Sequence, residues 1–309
     1  MTHPCALPPA PVAFLGTGLM ATPMIERLLA AGRTVHVWNR TAAKARPLIE
    51  RGARPLARPA DAAAVADVVL MCLMDAPAVD ATVFGPGGLA EGVRAADAGG
   101  APGSRARVLV DHSSIRPDAT AAFAQRLQAG TGMRWIDAPV SGGIAGAAAG
   151  TLAVMCGGEA DALAQAEPAI RAYAANVTLM GPAGAGQTTK LINQVLVGST
   201  MAAIAEAVAL AQAAGIDAAR LPQALAGGWA DSKPLQVFVP RMVGGYDRPI
   251  GAIATMLKDL DTAADLARGA GTPLPMAVQA QTLMRLMVAR GAGEDDPAAL
   301  VRLYRSQGV

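Results

Sequence analysis

Cysteine is scarce in this sequence and forms no pattern. Cys5, Cys72 and Cys156 are widely spaced and odd in number, which argues against a disulfide framework and against a zinc site. We therefore expect no bound metal ion and a reducing compartment such as the cytoplasm. Residues 1–11 lack the basic and apolar segments of a signal peptide, so we interpret them as a flexible, Pro-rich tail.

An excess of charge of one sign is also lacking. Charged residues make up 16% of the chain, the formal net charge is +2, and no basic or acidic run occurs. Neither nucleic acid nor an anionic membrane surface is therefore an expected partner. The most apolar stretch, 195–214, is interrupted by Ser199, Thr200, Glu206 and Gln212 and has no aromatic or basic belt, so we expect no membrane span. The expected ligand is a small molecule.

Lysine and asparagine are rare as well. The chain has twenty-two arginines, four lysines and three asparagines. Such a bias leaves lysine or asparagine chiefly where arginine, glutamine or aspartate cannot substitute, for example where an ammonium group must release a proton. Lys190 and Asn193 stand out on this ground, because they lie close together at the start of the most apolar stretch.

The N-terminal region has the pattern of a βαβ unit. Apolar runs at 12–16 and 34–38 predict strands, and the Leu/Met/Ile pattern between them predicts a helix over 19–31. The first turn is GTGLMA, the GxGxxA form of the dinucleotide fingerprint. Gly16 suits the tight turn and Gly18 the close approach of a pyrophosphate. Leu19 and Met20 complete the predicted cofactor site in the first turn of this helix, whose N-terminus favours phosphate.

The residues after the second predicted strand indicate which dinucleotide binds. The acidic residue that would hold the ribose of NAD is missing, and the sequence is Asn39-Arg40-Thr41 with Lys44 one turn later. A guanidinium there can pair with a 2′-phosphate and lie over the adenine. The pattern favours NADP(H), with NAD(H) possible. The alternative is that Arg40 is only a solvated residue after a strand.

Five further apolar runs alternate with helical spacers. Together they predict an α/β fold with a mainly parallel, doubly wound sheet of the Rossmann type. The runs lie at 67–73, 107–113, 134–140, 152–157 and 176–180. Ligands bind beyond the carboxyl ends of strands in such sheets. The loops there carry Leu73, Met74, Ser113, Ser114, Ser141, Gly142 and Gly143.

No strand is predicted beyond Gly181. A long, largely apolar helix over 187–214 suits burial on several sides, and shorter helices follow, with Gly215, Gly269 and Gly291 at expected helix ends. We predict a nucleotide-binding domain at 1–180 and an all-α domain at 181–309, joined by this interdomain helix. Its apolar surface, with the faces of 252–266 and 278–288, exceeds what one sheet edge can cover. We therefore expect a homodimer or homotetramer.

Four stretches spread over about residues 12–284 resemble the β-hydroxyacid dehydrogenase family, which includes 3-hydroxyisobutyrate dehydrogenases and semialdehyde reductases. They are FLGTGLM with VWNRT, DAPVSGG at 137–143, GAGQTTKLINQ at 184–194 and LKDL at 257–260. The resemblance implies that Lys190 is the catalytic lysine, that Asn193 helps to hold substrate and lysine, and that Ser141, Gly142 and Gly143 bind the substrate carboxylate. It also implies that Ser114 lies near the nicotinamide ribose. Lys258, oriented by Asp259, would close over cofactor and substrate.

These residue types suit hydride transfer to a carbonyl carbon. Charge builds on the carbonyl oxygen, so a proton donor must stand beside it, and a partly desolvated ammonium can donate and accept that proton. The expected protein is an NADP(H)-dependent oxidoreductase that interconverts a small β-hydroxy acid and its semialdehyde, such as 2-hydroxy-3-oxopropionate, and works as a reductase.

Other interpretations stay open. Lys190 could be a solvated helix lysine, Lys258 and Asp259 a surface ion pair, and Ser114 a strand-end cap. The whole protein could be a 3-hydroxyisobutyrate dehydrogenase that uses NAD, a catalytically silent NADPH-binding module, or an imine reductase, although the last group typically lacks the lysine.

One branch of the family does not fit this sequence, and two further polar residues are not assigned to the site. The 6-phosphogluconate dehydrogenase branch places a histidine beside the asparagine that follows its lysine, whereas Ile192 and Gln194 flank Asn193 here. Decarboxylation of a phosphosugar is therefore not expected. Asp137 and His112 are assigned structural roles.

Overall fold

The computed structural model of the chain describes residues 9–98 and 106–305. It divides into two compact units, Met1–Lys190 and Leu191–Val309. The boundary predicted from the sequence lies ten residues earlier, ahead of the long helix rather than within it. The predicted tail, residues 1–11, falls outside the described residues except for its last three.

A nine-stranded sheet forms the centre of the first unit, where the apolar runs predict seven strands. Its order is β3-β2-β1-β4-β5-β6-β8-β7, with β9 paired to β8. The strands from β3 to β6 are parallel, whereas β8 is antiparallel to β6 and β7. The strands are β1 Val12–Leu15, β2 Val35–Trp38, β3 Arg54–Pro55, β4 Val68–Met71, β5 Val108–Asp111, β6 Arg134–Asp137, β7 Val140–Ser141, β8 Leu152–Gly157 and β9 Ala174–Gly181.

Helices cover both faces of this sheet. Along β1, Val12 and Phe14 belong to one buried core, while Ala13 and Leu15 belong to the other. A strand buried on both faces needs apolar residues at every position, which is why these strands are continuous apolar runs. The helices are α1 Ala21–Ala30, α2 Arg46–Glu50, α3 Ala62–Val65, α4 Ala76–Phe84, α5 Leu89–Ala98, α6 Pro117–Thr131, α7 Gly143–Ala149 and α8 Ala160–Ile170, with 3₁₀ turns at Ala42–Ala45 and Pro59–Asp61.

Two details of the sheet differ from the pattern-based expectation. The run at 134–140 is not one strand: β6 ends at Asp137, and β7 begins at Val140 and pairs antiparallel to β8. Pro139 lies between them, and proline has no N–H to donate to a sheet ladder. The two-residue edge strand β3 was not predicted, because so short a segment has no periodicity.

The second unit is helical, and its described residues, 191–305, contain no strand. Its core is one apolar cluster that includes Met201, Val208, Leu260 and Met284. The helices are α9 Ala185–Ala213, whose first six residues belong to the first unit, α10 Leu221–Leu225, α11 Lys233–Gly244, α12 Ile253–Gly269 and α13 Pro275–Ala289, with 3₁₀ turns at Ala218–Arg220 and Pro297–Leu303. Gly269 is the last residue of α12 and not the residue after it. The left-handed glycine there is Gly271, with φ +65°.

The long helix α9 was expected to be buried on several sides, and this is wrong for one face within the second unit. Met201, Ile204 and Val208 are buried, whereas Leu196 and Leu210 on the opposite face are 64% and 72% exposed. By length and composition alone α9 could also cross a membrane; its best window has a mean hydropathy of 1.6 and is 44% buried. A core helix of a soluble protein meets the same criteria.

Candidate active site

The turn after β1 has the backbone that the dinucleotide fingerprint requires. Gly16 has φ +98°, and an added Cβ would lie 2.5 Å from the carbonyl oxygen of Cys72. Only glycine fits there, because both the conformation and the space exclude a side chain. Gly18 is different: an added Cβ would meet nothing within 4 Å. The space beside Gly18 is therefore open, and α1 begins three residues later, so that a helix N-terminus, which favours phosphate, follows the turn.

Asn39 holds this turn from the end of β2. Its Oδ1 accepts a hydrogen bond from the N–H of Thr17 at 3.1 Å, and its Nδ2 donates to the carbonyl oxygen of Thr41 at 2.9 Å. Its side chain therefore positions the glycine turn, a role that its place after a strand did not suggest. Arg40 and Thr41 are exposed beside it.

Two apolar side chains at this edge of the sheet are strongly exposed. Leu19 follows the glycine turn and is 80% exposed, and Met74 follows β4 and is 83% exposed. Met20 packs against one core and Leu73 against the other. Exposed apolar side chains that flank an open glycine turn suit a surface that a flat aromatic ligand covers. This geometry fits a dinucleotide on the residues predicted to bind it.

The loop after β5 carries Ser113 and Ser114. Ser113 is buried: its N–H donates to Asp111 Oδ1 at 2.9 Å, and its Oγ accepts from the N–H of Leu73 at 2.9 Å. Ser113 thus joins the β5 loop to the β4 loop. Ser114 is only half-buried.

Lys190 lies in the second turn of α9, and its side chain reaches β7. Its Nζ donates to the carbonyl oxygen of Val140 at 3.0 Å, directly before the predicted carboxylate loop Ser141–Gly143. Gly142 and Gly143 have φ +128° and +65°, conformations that side-chain-bearing residues rarely adopt. The structure therefore brings the predicted catalytic lysine beside the predicted substrate loop.

The start of α9 is capped by Asp137, which lies at the end of β6. Its two carboxylate oxygens accept from the N–H groups of Gly184 and Gln187, each at 2.8 Å. Burial raises the pKa of Asp137, and these hydrogen bonds oppose that rise. The structural role assigned to Asp137 is thus an N-terminal cap from outside the helix.

In the second unit, Asn193 and Lys258 are connected through the side chains of Gln194 and Asp259. Asn193 Nδ2 donates to Gln194 Oε1 at 2.9 Å, and Gln194 Nε2 donates to Asp259 Oδ2 at 2.7 Å. Asp259 is buried, and its Oδ1 lies 3.3 Å from Nζ of the half-exposed Lys258. Asp259 therefore contacts Lys258 as the sequence suggested. Gln194, which links the two predicted residues, was not singled out.

His112 has the structural role expected of it. Nδ1 lies 2.6 Å from the carbonyl oxygen of Ala138 and Nε2 lies 2.8 Å from the Tyr173 hydroxyl. A carbonyl only accepts, so Nδ1 carries the proton and Nε2 accepts from tyrosine. Burial lowers the pKa of His112 to about 4. A neutral, fully bonded core histidine is not a general base.

Comparisons with known proteins agree with this geometry. The sequence profile of the NAD binding domain of 6-phosphogluconate dehydrogenase matches residues 11–181. The profile for NAD-binding of NADP-dependent 3-hydroxyisobutyrate dehydrogenase matches residues 184–304. The chain is 34% identical to a 2-hydroxy-3-oxopropionate reductase of Escherichia coli, over 94% of its length and 96% of the relative. It is 33% identical to an NAD-dependent L-serine dehydrogenase of Pseudomonas aeruginosa, over 95% of its length and 97% of the relative.

A solved structure is also similar over nearly the whole chain. The crystal structure of a 3-hydroxyisobutyrate dehydrogenase from Salmonella typhimurium has a TM-score of 0.81 and 28% identity, and the match covers 95% of this chain and 99% of that one. The chain belongs to the β-hydroxyacid dehydrogenase family. It is therefore an NAD(P)-dependent oxidoreductase of hydroxy acids with an N-terminal Rossmann-type domain and a helical C-terminal domain, as the sequence predicted.

Proposed function

We propose that this enzyme is an NADP(H)-dependent reductase of a small semialdehyde that carries a carboxylate, with 2-hydroxy-3-oxopropionate or a close analogue as substrate. The observation that carries the proposal is the contact of Lys190 Nζ with the Val140 carbonyl, which holds an ammonium beside the loop 141–143. The name of the Escherichia coli relative supports the substrate class. Arg40, exposed at the end of β2 with no acidic neighbour in the Asn39–Thr41 segment, supports NADP(H).

The proposed roles follow from the chemistry of the side chains. A bound reduced nicotinamide supplies a hydride to the carbonyl carbon. Lys190 Nζ donates a proton to the oxygen of that carbonyl, so that no alkoxide accumulates. The Ser141 hydroxyl and the N–H groups of Gly142 and Gly143 bind the substrate carboxylate without needing an arginine. Asn193 and Lys258 hold substrate and cofactor, and Gly16, Gly18 and Arg40 hold the dinucleotide.

A substrate panel tests the proposal. Purified enzyme is mixed with NADPH or NADH and with 2-hydroxy-3-oxopropionate, succinic semialdehyde or methylmalonate semialdehyde, and absorbance at the reduced-nicotinamide band is followed. We expect turnover of at least one semialdehyde and a higher kcat/KM with NADPH. A preference for NADH with methylmalonate semialdehyde would favour the alternative of an NAD-dependent 3-hydroxyisobutyrate dehydrogenase. Tight NADPH binding without turnover would favour a catalytically silent module.

We also propose that the enzyme is a homodimer or homotetramer in a reducing compartment such as the cytoplasm. The exposed face of α9, with Ile192, Leu196 and Leu210 at 56%, 64% and 72% exposure, supports self-association. Cys72 and Cys156 are free thiols, which supports a reducing compartment. Light scattering coupled to gel filtration would give twice or four times the 31.1 kDa chain mass. A mass equal to that of a single chain would contradict self-association.

A further inference from the structure

The first turn of α9 contains a buried polar side chain, Gln187, that has no role in the proposed reaction. Gln187 is 1% exposed. It lies three residues before Lys190 and therefore one helical turn away, on the same side of α9. Buried amide groups are in most cases hydrogen-bonded at both their donor and their acceptor atoms.

Both ends of the Gln187 amide bond to the loop that follows β5. Nε2 donates to the carbonyl oxygen of Ser113 at 2.7 Å, and Oε1 accepts from the N–H of Ile115 at 3.3 Å. These two groups flank Ser114 on either side. The amide therefore fixes the backbone on both sides of Ser114, the residue expected beside the cofactor.

The backbone of Gln187 is held by Asp137. The Gln187 backbone N–H donates to Asp137 Oδ2 at 2.8 Å, and Gly184 N–H donates to Oδ1. Two glycines leave room for this carboxylate: an added Cβ at Gly157 would lie 2.5 Å from Oδ1, and one at Gly186 would lie 2.8 Å from Oδ2. The start of α9 is therefore held in one position on β6.

The hydrogen bonds form a continuous chain through the first unit. Leu73 N–H bonds to Ser113 Oγ, the Ser113 carbonyl bonds to Gln187, and the Gln187 N–H bonds to Asp137. The loops after β4 and β5, the end of β6 and the helix turn before Lys190 are thus linked by the buried side chains of Ser113, Gln187 and Asp137.

We propose that Gln187 is a positioning residue, which locks the Ser114 loop to the helix turn that carries Lys190 and so sets the place of the cofactor loop relative to the proton donor. This inference rests on the proposed function for its catalytic consequence. Hydride transfer requires donor and acceptor at a fixed separation, and a displacement of about 1 Å can lower the rate on the order of 100-fold. Gln187 itself touches no reacting atom.

Gln187→Met tests the proposal, because it keeps the side-chain length and removes both hydrogen bonds. Gln281→Met is the matched control: Gln281 is also a buried glutamine in a helix, and it bonds to Asp261 in the second unit. With 2-hydroxy-3-oxopropionate and NADPH, we expect kcat of Gln187→Met to fall roughly 10- to 100-fold with KM for NADPH changed less than about threefold. The control should keep kcat within about twofold.

A second readout needs no turnover. Hydrogen–deuterium exchange of the wild-type and Gln187→Met proteins, without ligand, should show faster uptake in peptides spanning 111–117 and unchanged uptake in the control variant. If Gln187→Met does not fold, Gln187→Glu, which retains the acceptor toward Ile115 and loses the donor toward Ser113, takes its place with the same expected loss of kcat.

The two readouts separate the possible failures. If no semialdehyde is turned over by the wild-type enzyme, the proposed function fails, while faster exchange at 111–117 still supports the lock. Unchanged exchange there would overturn the inference. A second result would also overturn it: kcat of Gln187→Met within twofold of wild type, with an equal fall of thermal stability in Gln187→Met and Gln281→Met. Gln187 would then stabilise the fold without positioning the site.

Discussion

The ammonium group of Lys190 donates a hydrogen bond to the carbonyl oxygen of Val140 across 3.0 Å. Val140 begins β7, and the next three residues are the predicted carboxylate loop. A lysine near a helix N-terminus is unfavourable by the helix dipole, so an oxygen acceptor close by offsets part of that cost. The same hydrogen bond holds the ammonium next to the loop that we propose binds the substrate carboxylate.

The two glycines of the fingerprint should respond differently to alanine. Gly18→Ala places its Cβ in open space, so we expect an unchanged melting temperature and an NADPH Kd raised at least about tenfold, because the methyl group blocks the approaching phosphate. Gly16→Ala adds strain at φ +98° and a clash with Cys72, so it should unfold more easily. Gly244→Ala, also in open space, is the control. Unchanged NADPH affinity in Gly18→Ala would disprove the assignment of this turn.

Arg40 should determine the preference for NADPH. Removing one charge-assisted contact costs about 1.5–3 kcal/mol, which corresponds to a roughly 10- to 100-fold weaker NADPH affinity in Arg40→Ala. NADH affinity should stay within about threefold. Arg46→Ala, which removes an exposed arginine at the start of α2, is the control. Equal effects of Arg40→Ala on both dinucleotides, measured by fluorescence titration, would show that Arg40 does not read the 2′-phosphate.

The Tyr173 hydroxyl should stabilise the first unit through His112. Tyr173→Phe leaves His112 Nε2 buried without its donor, and an unsatisfied buried group costs about 1–3 kcal/mol. Urea unfolding followed by fluorescence of the buried Trp135 measures this loss. Tyr304→Phe, which alters a partly exposed tyrosine, should change stability by less than about 0.5 kcal/mol. No difference between the two variants would contradict the account of the histidine.

Asp111 should make the stability of the first unit depend on pH. Burial raises its pKa from 3.8 to about 7, and Oδ2 is a buried atom without a hydrogen-bond partner among the described residues. A raised folded pKa contributes stability below the unfolded value of 3.8, and that contribution is lost as pH rises through about 7. Asp111→Asn has no such loss.

The comparison of Asp111→Asn with wild type should therefore change with pH. We expect the variant to gain roughly 2 kcal/mol relative to wild type between pH 5 and pH 8, as measured by urea unfolding at the two pH values. His112 lowers the stability of both proteins as pH falls from 6.5 toward about 4. This effect cancels when the variant is compared with wild type. A constant gap at both pH values would mean that Asp111 is ionised in the folded protein throughout.

The sequence predicted those parts of the molecule that local pattern encodes. Continuous apolar runs identified the central strands, because a strand buried on both faces has no polar position. The glycine turn and Lys190 were found because motif and composition mark them. The roles of Gln187 and Asp137 were not predicted, although both lie in stretches that resemble the family, since a place in a motif does not show which distant groups a side chain contacts. Asp137 and Ser113, which bond to Gln187, lie 50 and 74 residues away from it in the chain, and only the folded sheet brings them together.

The role of Lys190 is the central claim, and its removal tests that role most directly. Lys190→Met keeps much of the apolar stem and deletes the proton donor. With the semialdehyde that the wild type reduces best, we expect kcat to fall on the order of 100- to 10,000-fold, the range attributed to a positioned general acid. The NADPH Kd should stay within about threefold. A Lys190→Met enzyme that folds, binds NADPH and retains kcat within about fivefold of wild type would contradict the account.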